Sequence, residues 1–129
     1  MSTTITQLCI AAEALDAYLF VKVGTAEKVA DIALITDEPL GITCAPATAD
    51  GDEVAIAVSG YALVEFAEAV APFTKIGTNA DGKAVEADTT NQNIVGYYAP
   101  EPVDGAMPDS PSAGRARVYL YADKSTESA

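Results

Sequence analysis

Val54-Ala55-Ile56-Ala57-Val58 is the clearest strand signal in the sequence. Large β-branched residues alternate with alanine at the period of two that places one set of side chains on the core face. Gly60 then breaks or bulges the strand. Tyr61–Phe66 continues the strand pattern, although the alanine-rich stretch 62–71 also permits a short helix ending before Pro72. We interpret this region as a strand followed by a turn.

A second strand is predicted over Arg115–Tyr121. Alternation places three apolar residues, Ala116, Val118 and Leu120, on one face, which suits a core. The opposite face carries both arginines of the chain and two tyrosines: Arg115, Arg117, Tyr119 and Tyr121. Arginine and tyrosine are enriched in interface hot spots, so this stripe is a candidate protein contact. The alternative is an ordinary solvent-facing strand face.

Turn signals recur at short intervals along the chain. Asp50-Gly51, Asn79-Ala80-Asp81-Gly82 and Asp104-Gly105 each supply residues able to adopt the positive φ that tight turns require. This punctuation, without long helical periodicity, predicts a mainly β fold: a small β-barrel or β-sandwich with little helix. Ile10–Val23 carries mixed signals, since its first part favours helix and its second part favours strand. We interpret it as a turn feeding a strand.

The two halves of the chain, about 18–66 and 71–121, share an internal sequence repeat. The matching blocks are Phe20–Gly24 with Phe73–Gly77, Leu40–Pro46 with Val95–Pro100, and the strand led by Gly51 with the strand led by Gly114. The separation between matching blocks is larger for the last pair than for the first two. The second copy is therefore predicted to carry eight extra residues between Pro100 and Gly114.

The extra residues fall in a long proline-rich loop, residues 99–114. It contains Pro100, Pro102, Pro108 and Pro111. Proline stiffens a segment without hydrogen-bonding it into a sheet. We therefore predict that this loop projects from the body of the protein.

These signals predict one β domain over residues 15–122, preceded by an N-terminal arm, 1–14, and followed by a flexible tail, 123–129. Ser2–Gln7 in the arm is small and polar, and disorder is our first interpretation. Its β-branched residues also suit a strand that adds to a neighbouring sheet edge. Both alternatives stay open at this point.

The composition excludes several classes of function. The 129 residues carry 19 acidic and seven basic side chains, a net charge of −12, which opposes binding to nucleic acid and to anionic membranes. The sequence has no histidine, the commonest general base. It also has no apolar window long enough to span a membrane. We expect a soluble protein made in the cytoplasm that binds neither nucleic acid nor membrane.

The residue patterns support neither catalysis nor a metal or cofactor. Asn79-x-Asp81-Gly82 matches the middle of a calcium loop, but the first-ligand position falls on Gly77, and a hairpin turn explains the same residues. Lys22 and Lys75 hold matching places in the repeat, whereas a reactive lysine is normally a single desolvated residue. We predict no enzyme activity.

The two cysteines are predicted to be buried, unreactive thiols. Cys9 and Cys44 lie in apolar, strand-like surroundings, where a free cysteine behaves as a small hydrophobic residue. Their spacing suits neither a disulfide framework nor a metal knuckle.

Phrases in both halves resemble those of the small capsid decoration, or cement, proteins of tailed bacteriophages. The resemblance covers about residues 15–122. The phrases are Leu40-Gly41-Ile42, Gly51–Gly60, Asn79–Val85 and Ile94-Val95-Gly96. The resemblance implies a non-enzymatic β-rich protein that binds the outside of an expanded icosahedral head, usually as a trimer at three-fold and quasi-three-fold positions, and stabilises it.

Under this resemblance the partners are the major capsid protein and further copies of the chain, and the protein resides on the outer capsid surface of the virion. Our hypothesis assigns the lattice contact to the N-terminal residues Thr3, Thr4 and Ile5, and packing between protomers to the face with Arg117 and Tyr119. The alternative is a β-barrel module that binds a ligand or glycan, as a virion adhesin or a cellular binding domain. Its candidate aromatic platform is Tyr97, Tyr98, Tyr119 and Tyr121.

Overall fold

The computed structural model describes residues 4–32, 37–87 and 93–121. Within these ranges the chain forms nine β-strands, a short 3-10 turn at Thr25–Glu27 and no α-helix. The strands are β1 Ile5–Ile10, β2 Phe20–Val23, β3 Val29–Asp31, β4 Gly41–Thr43, β5 Glu53–Phe66, β6 Lys75–Thr78, β7 Ala84–Glu86, β8 Gly96–Tyr98 and β9 Gly114–Leu120. No helix of the described residues is long and apolar enough to cross a membrane.

The first half of the chain forms a ring of five strands. β1 pairs antiparallel with the first part of β5, β5 with β4, β4 with β2, and β2 with β3. A parallel bridge between Ala11 and Val29 connects the end of β1 back to β3. Side chains alternate between the two faces of β5, which places Val54 and Ile56 in the buried cluster inside the ring.

The second half forms a closed five-stranded barrel with the same order of pairing. The second part of β5 pairs antiparallel with β9, β9 with β8, β8 with β6, and β6 with β7. A parallel pair between Phe66 and Ala84 returns from β7 to β5 and closes the barrel. The prediction of a mainly β fold built on a small barrel is therefore confirmed.

One strand belongs to both halves. β5 runs for 14 residues and includes Gly60, which has a φ of 88°. Glycine adopts this conformation at little cost. It changes the direction of the strand between the two rings. The segment after Gly60 is a strand up to Phe66, as interpreted from the sequence, and not a helix. Its partner is β9 instead of β1.

The two halves repeat the same backbone hydrogen bonds at a constant offset along the sequence. Three N–H to C=O bonds and their counterparts are Ala12 to Val29 and Ala67 to Ala84, Gly24 to Lys28 and Asn79 to Lys83, and Tyr18 to Thr43 and Phe73 to Tyr98. The last strand of the second half does not follow this offset. Thr43 corresponds to Tyr98, so their strand partners, Ile56 and Val118, should also correspond. Val118, however, lies further along the sequence from Ile56 than the offset predicts. The difference shows that seven extra residues lie between β8 and β9.

These offsets correct the register of the repeat taken from the sequence. Phe20 and Lys75 hold the same place in their rings, each one position before a residue that pairs with a glycine. Phe20 thus corresponds to Lys75 and not to Phe73, and Lys22 and Lys75 are not equivalent. The insertion is seven residues long and not eight. A shift of two residues keeps every side chain on its original face, so alternation alone cannot detect it.

The core consists of two buried clusters. The first fills the ring of the first half and includes Leu15, Val21 and Ile56. The second combines the interior of the barrel, including Phe66 and Val118, with side chains from the outer face of the first ring. Because apolar burial stabilises by about 25 cal/mol per Å², this shared cluster holds the two halves together as one unit.

The expectation of two buried thiols is wrong for Cys44. This residue follows the last residue of β4 and is exposed, while Cys9 on β1 is half-buried, and both are free. Partial desolvation raises the pKa of both thiols. They therefore stay protonated, and weakly nucleophilic, at neutral pH.

Candidate interaction surface

A row of aromatic rings crosses the outer face of the second barrel. Tyr119 stacks on Tyr97 with ring centroids 5.4 Å apart, and meets Tyr61 edge to face at 5.2 Å. Tyr97 also lies 6.2 Å from Tyr121 and 6.3 Å from Phe73. We call these five residues the tyrosine face. The register brings them together, because both Tyr61 and Tyr97 lie directly opposite Tyr119.

The tyrosine face is neutral and partly open to solvent. Its four tyrosines are half-buried, and Phe73 at its margin is 58% exposed. Desolvation, and then the neighbouring phenols of Tyr61, Tyr119 and Tyr121, raise the pKa of Tyr97. Its hydroxyl therefore stays protonated at neutral pH and can both donate and accept a hydrogen bond. Rigid rings with a polar tip suit a contact with another protein.

Arg117 joins the tyrosine face to the proline-rich loop. Its guanidinium carbon lies 4.6 Å from the ring centre of Tyr61. Its Nε donates to the carbonyl of Ala99 at 2.9 Å, and its Nη2 donates to the carbonyl of Pro100 at 3.2 Å. Glu101 lies 3.7 Å away. Stacking and forked hydrogen bonding together fix the position of this side chain.

Arg115 lies elsewhere, at the junction between the two halves. Its guanidinium carbon lies 4.2 Å from the ring centre of Tyr18. Its Nε forms an ion pair of 2.9 Å with Glu65. This arginine therefore bridges the second barrel to the turn that precedes β2.

The structure brings four of the predicted interface residues together and separates two others from them. Arg117, Tyr97, Tyr119 and Tyr121 meet at the tyrosine face. Arg115, although also on β9, lies at the junction between the two halves. Tyr98, also predicted as an interface residue, is instead a core residue, 3% exposed. Its ring packs 5.4 Å from Phe66, and its hydroxyl donates to the carbonyl of Pro108.

Tyr98 faces inward for a simple geometric reason. Successive residues of a strand point to opposite faces, so Tyr97 and Tyr98 cannot share one platform. Sequence reasoning also missed Tyr61 and Phe73. Tyr61 joins the face only because β5 pairs with β9, and no local signal in the sequence specifies that pairing.

Of the N-terminal candidates, Ile5 lies on a paired strand and not in a loose arm. β1 begins at Ile5 and pairs with β5 up to Ile10, so the expectation of disorder is wrong for these residues. Thr4 donates a hydrogen bond from its hydroxyl to the carbonyl of Tyr61. Thr3 lies outside the described residues. Ile5 and Leu8 are 57% and 64% exposed, which leaves a strand without charged side chains open to contact.

The proline-rich loop is exposed along most of its length and is tied down near its end. At the tip, a bridge between Val103 and Ala106 encloses a tight turn, and Val103 is 59% exposed. Ser110 is buried, and its N–H donates to the carbonyl of Val70 at 2.9 Å. Its hydroxyl accepts the N–H of Val70 at 2.8 Å. The tip can therefore contact a partner while its base stays attached to the barrel.

The polar turns have structural partners. Asn79 Oδ1 accepts the N–H groups of Asp81 and Lys83, each at 2.9 Å, which is the bonding of a closed turn. Lys22 pairs with Asp37 at 3.0 Å. In the part of the chain that the structure describes, no group of three or more His, Cys, Asp or Glu side chains is placed to hold a metal ion.

Comparison with known proteins places the fold among solved structures. No family model matches the chain, and no curated protein sequence matches it. Among solved structures, the chain is similar to the N base of head fiber gp8.5 in bacteriophage phi29, with a TM-score of 0.62 and 14% sequence identity. The match covers 95% of this chain and 98% of the other. At this identity, the likeness establishes a shared fold.

Proposed function

We propose that this chain is a non-enzymatic structural protein of a bacteriophage head, which binds the outer surface of the mature capsid and stabilises it. One observation carries the proposal: the likeness to a phage head fiber base extends over 95% of the chain. The sequence phrases that resemble capsid decoration proteins point to the same class.

The mechanism we propose is linkage between binding and stability. A protein that binds only the mature lattice stabilises it by RT ln(1 + [L]/Kd), about 2.7 kcal/mol per site at a hundredfold excess over Kd. The proposed state on the head is a trimer at three-fold and quasi-three-fold positions. Three copies of each contact around one axis convert weak individual contacts into tight attachment.

We propose the major capsid protein as the partner and the N-terminal residues as the contact. Ile5 begins β1 and is largely exposed, and Thr4 directly precedes it. The tip of the proline-rich loop at Val103 is a second exposed apolar site and serves as the comparison. Electrostatic attraction contributes little to this binding unless the capsid surface is basic, because the chain carries a net charge of −12.

The test is co-sedimentation with undecorated heads. Purified protein is mixed with heads of candidate phages, and bound protein and the temperature of head rupture are measured. We expect saturable binding and a higher rupture temperature. Replacement Ile5→Asp should lower occupancy at least tenfold, whereas Val103→Asp should leave it unchanged. Saturable binding without any rise in rupture temperature would contradict a stabilising role, and no binding to any head would contradict the whole proposal.

A glycan-binding module is less well supported by the geometry. The rings of Tyr97 and Tyr119 stack on each other at 20°, so each covers a face that a sugar ring would need. Tyr98 is in the core. A glycan array with the isolated protein tests this alternative, and saturable binding to one glycan would favour it over the head.

A further inference from the structure

The outer face of the first ring is buried. Phe20, Ile42 and Ala57 lie on the face of β2, β4 and β5 opposite to the ring interior, yet each is at most 1% exposed. They belong to the same buried cluster as the interior of the second barrel. The second half of the chain therefore covers this face of the first half.

Two backbone hydrogen bonds fasten the covering half. The N–H of Phe20 donates to the carbonyl of Gly82 at 2.8 Å, and the N–H of Glu65 donates to the carbonyl of Tyr18 at 2.8 Å. The approach at Gly82 is close, since a Cβ there would meet the carbonyl oxygen of Phe20 at 2.9 Å. The covering surface thus consists of the turn at Gly82 and the end of β5 at Glu65.

The equivalent of the covered face in the second barrel is the tyrosine face. Tyr97 and Tyr119 face each other across β8 and β9 as Ile42 and Ala57 do across β4 and β5. The positions are the same, but the side chains differ. The first half has apolar residues that are fully buried, whereas the second half has half-exposed phenols with the largely exposed Phe73 beside them.

The covering surface also has an equivalent, on the first half. The constant offset that relates Tyr18 to Phe73 places Glu27 at the position of Gly82 and Ile10 at the position of Glu65. Glu27 shares the left-handed backbone of Gly82, with φ of 60° against 79°. Both Glu27 and Ile10 are exposed, and Leu8 on the same strand is 64% exposed. We call Leu8, Ile10 and Glu27 the receiving side.

We propose that copies of this chain associate head to tail, with the tyrosine face of one copy docked on the receiving side of the next. This contact repeats between copies the relation that already joins the two halves. The N–H of Ile10 then donates to the carbonyl of Phe73 in the neighbouring copy, as the N–H of Glu65 donates to the carbonyl of Tyr18 within one chain. The contact goes beyond the proposed function, since it requires no capsid.

Apolar surface and the internal repeat favour a second copy as the occupant. The tyrosine face brings the exposed ring of Phe73 to the exposed apolar side chains of β1, Leu8 and Ile10. A second copy offers the matching surface, because the same relation already joins the two halves of one chain.

A head-to-tail contact joins two different surfaces, so the rotation between neighbouring copies determines the form of the assembly. Repeated contacts form a closed ring when this rotation returns to the first copy, and an open filament when it does not. The trimer proposed on the head is the closed case with three identical contacts. In both cases every copy has one tyrosine face and one receiving side engaged, except at the ends of an open chain.

The test is cross-linking between two single-cysteine proteins, each with Cys9→Ala and Cys44→Ala. Protein with Ile10→Cys is mixed with protein carrying Phe73→Cys under mild oxidation, without heads, and non-reducing gels are compared. We expect a disulfide dimer in the mixture and little in either protein alone. Ile10→Cys mixed with Val103→Cys is the matched control and should stay monomeric on the gel. Dimers from Ile10→Cys alone, or equal cross-linking in the control, would overturn the proposal.

Light scattering provides the second measurement without engineered cysteines. The wild-type protein should form a species larger than a monomer at micromolar concentration. The replacement Ile10→Asp should weaken association at least tenfold, whereas Val103→Asp should not change it. Both positions are exposed, so neither change threatens folding. A wild-type protein that is monomeric over the whole concentration range would overturn the proposal, whatever the result of head binding.

Discussion

Tyr18 and Phe73 hold the same left-handed backbone conformation, with φ of 66° and 65°. Each donates its N–H to the carbonyl of the last residue of a strand in its own half, Tyr18 to Thr43 of β4 at 2.8 Å and Phe73 to Tyr98 of β8 at 2.9 Å. A left-handed conformation costs a residue with a Cβ about 1–2 kcal/mol. The structure carries this cost twice, at matching points where the chain turns into β2 and β6.

Replacing Phe73 tests the cost of this backbone conformation. Asparagine tolerates the left-handed region better than phenylalanine, so Phe73→Asn should leave stability unchanged or raise it by up to about 1 kcal/mol. Phe73→Val should lower stability by about 1 kcal/mol or more, because a β-branched residue is strained there. Urea denaturation measures both. As a control, Leu63→Asn, on the extended backbone of β5, should destabilise, and stabilisation at Leu63 would contradict the backbone explanation.

Two glycines permit close contact between strands, and each should be intolerant of alanine. A Cβ at Gly41 would lie 2.1 Å from the carbonyl oxygen of Ala57, and one at Gly96 would lie 1.9 Å from that of Tyr119. We expect Gly41→Ala and Gly96→Ala each to cost about 3 kcal/mol or more, at the upper end for overpacking. Thermal unfolding followed by circular dichroism measures the loss.

The control for these glycines is Gly51→Ala. Gly51 has open space around its Cβ position but a φ of 97°. Its replacement should therefore cost only the backbone strain of about 1–2 kcal/mol. Equal losses at all three glycines would contradict the explanation by close contact, because only Gly51 among them has a positive φ.

Ser110 anchors the proline-rich loop, and its removal should free the loop. In Ser110→Ala the N–H of Val70 loses its hydroxyl acceptor, which costs about 1–3 kcal/mol for a buried donor. Cleavage by a protease within residues 100–109 should become faster than in the wild type. Ser112→Ala, two positions away on an exposed part of the loop, is the matched control. Unchanged cleavage in Ser110→Ala would show that Tyr98 and the prolines hold the loop without this residue.

Ionisation of Tyr97 should destabilise the fold at alkaline pH. Its folded pKa lies above the unfolded value, so its contribution to stability is fully present below about pH 10 and is lost as pH rises through the folded pKa. Absorbance at 295 nm should show a late tyrosinate phase that Tyr97→Phe reduces. Tyr121→Phe removes a phenol from the same face. It should keep that phase but move it to a lower pH, because the Tyr121 phenol helps to raise the pKa of Tyr97. A late phase that survives in Tyr97→Phe would assign it elsewhere, first to Tyr98.

The sequence predicts those strands that have one apolar and one polar face. It does not predict which strands pair with each other. The alternation in Val54–Val58 and in β9 identifies core and outer faces, because burial acts on every second residue. The register of the repeat was wrong by two residues at Phe20, since such a shift preserves the faces. The outward tyrosines of β8 and β9 were found as strand patterns, but their partner Tyr61 was not.

Two other errors arise from contacts between distant parts of the chain. The sequence of β1 predicts a loose arm because the strand that pairs with it is distant in the sequence. This partner is the first part of β5, which begins at Glu53, whereas β1 ends at Ile10. Tyr98 was grouped with Tyr97 by adjacency, although alternation along β8 already separates them. The exposed Cys44 follows from the short length of β4, which ends at Thr43 and leaves the next side chain in a turn.

β5 joins the two halves of the molecule without a flexible linker. Its first part is bonded to β1 and β4, and its second part to β9 and β7. A tension applied along this strand acts in shear on many ladder bonds at once, because antiparallel bonds run perpendicular to the strands. The two halves therefore cannot swing apart about a flexible linker. Pulling one half away from the other requires the ladder bonds of β5 on one side of Gly60 to rupture together.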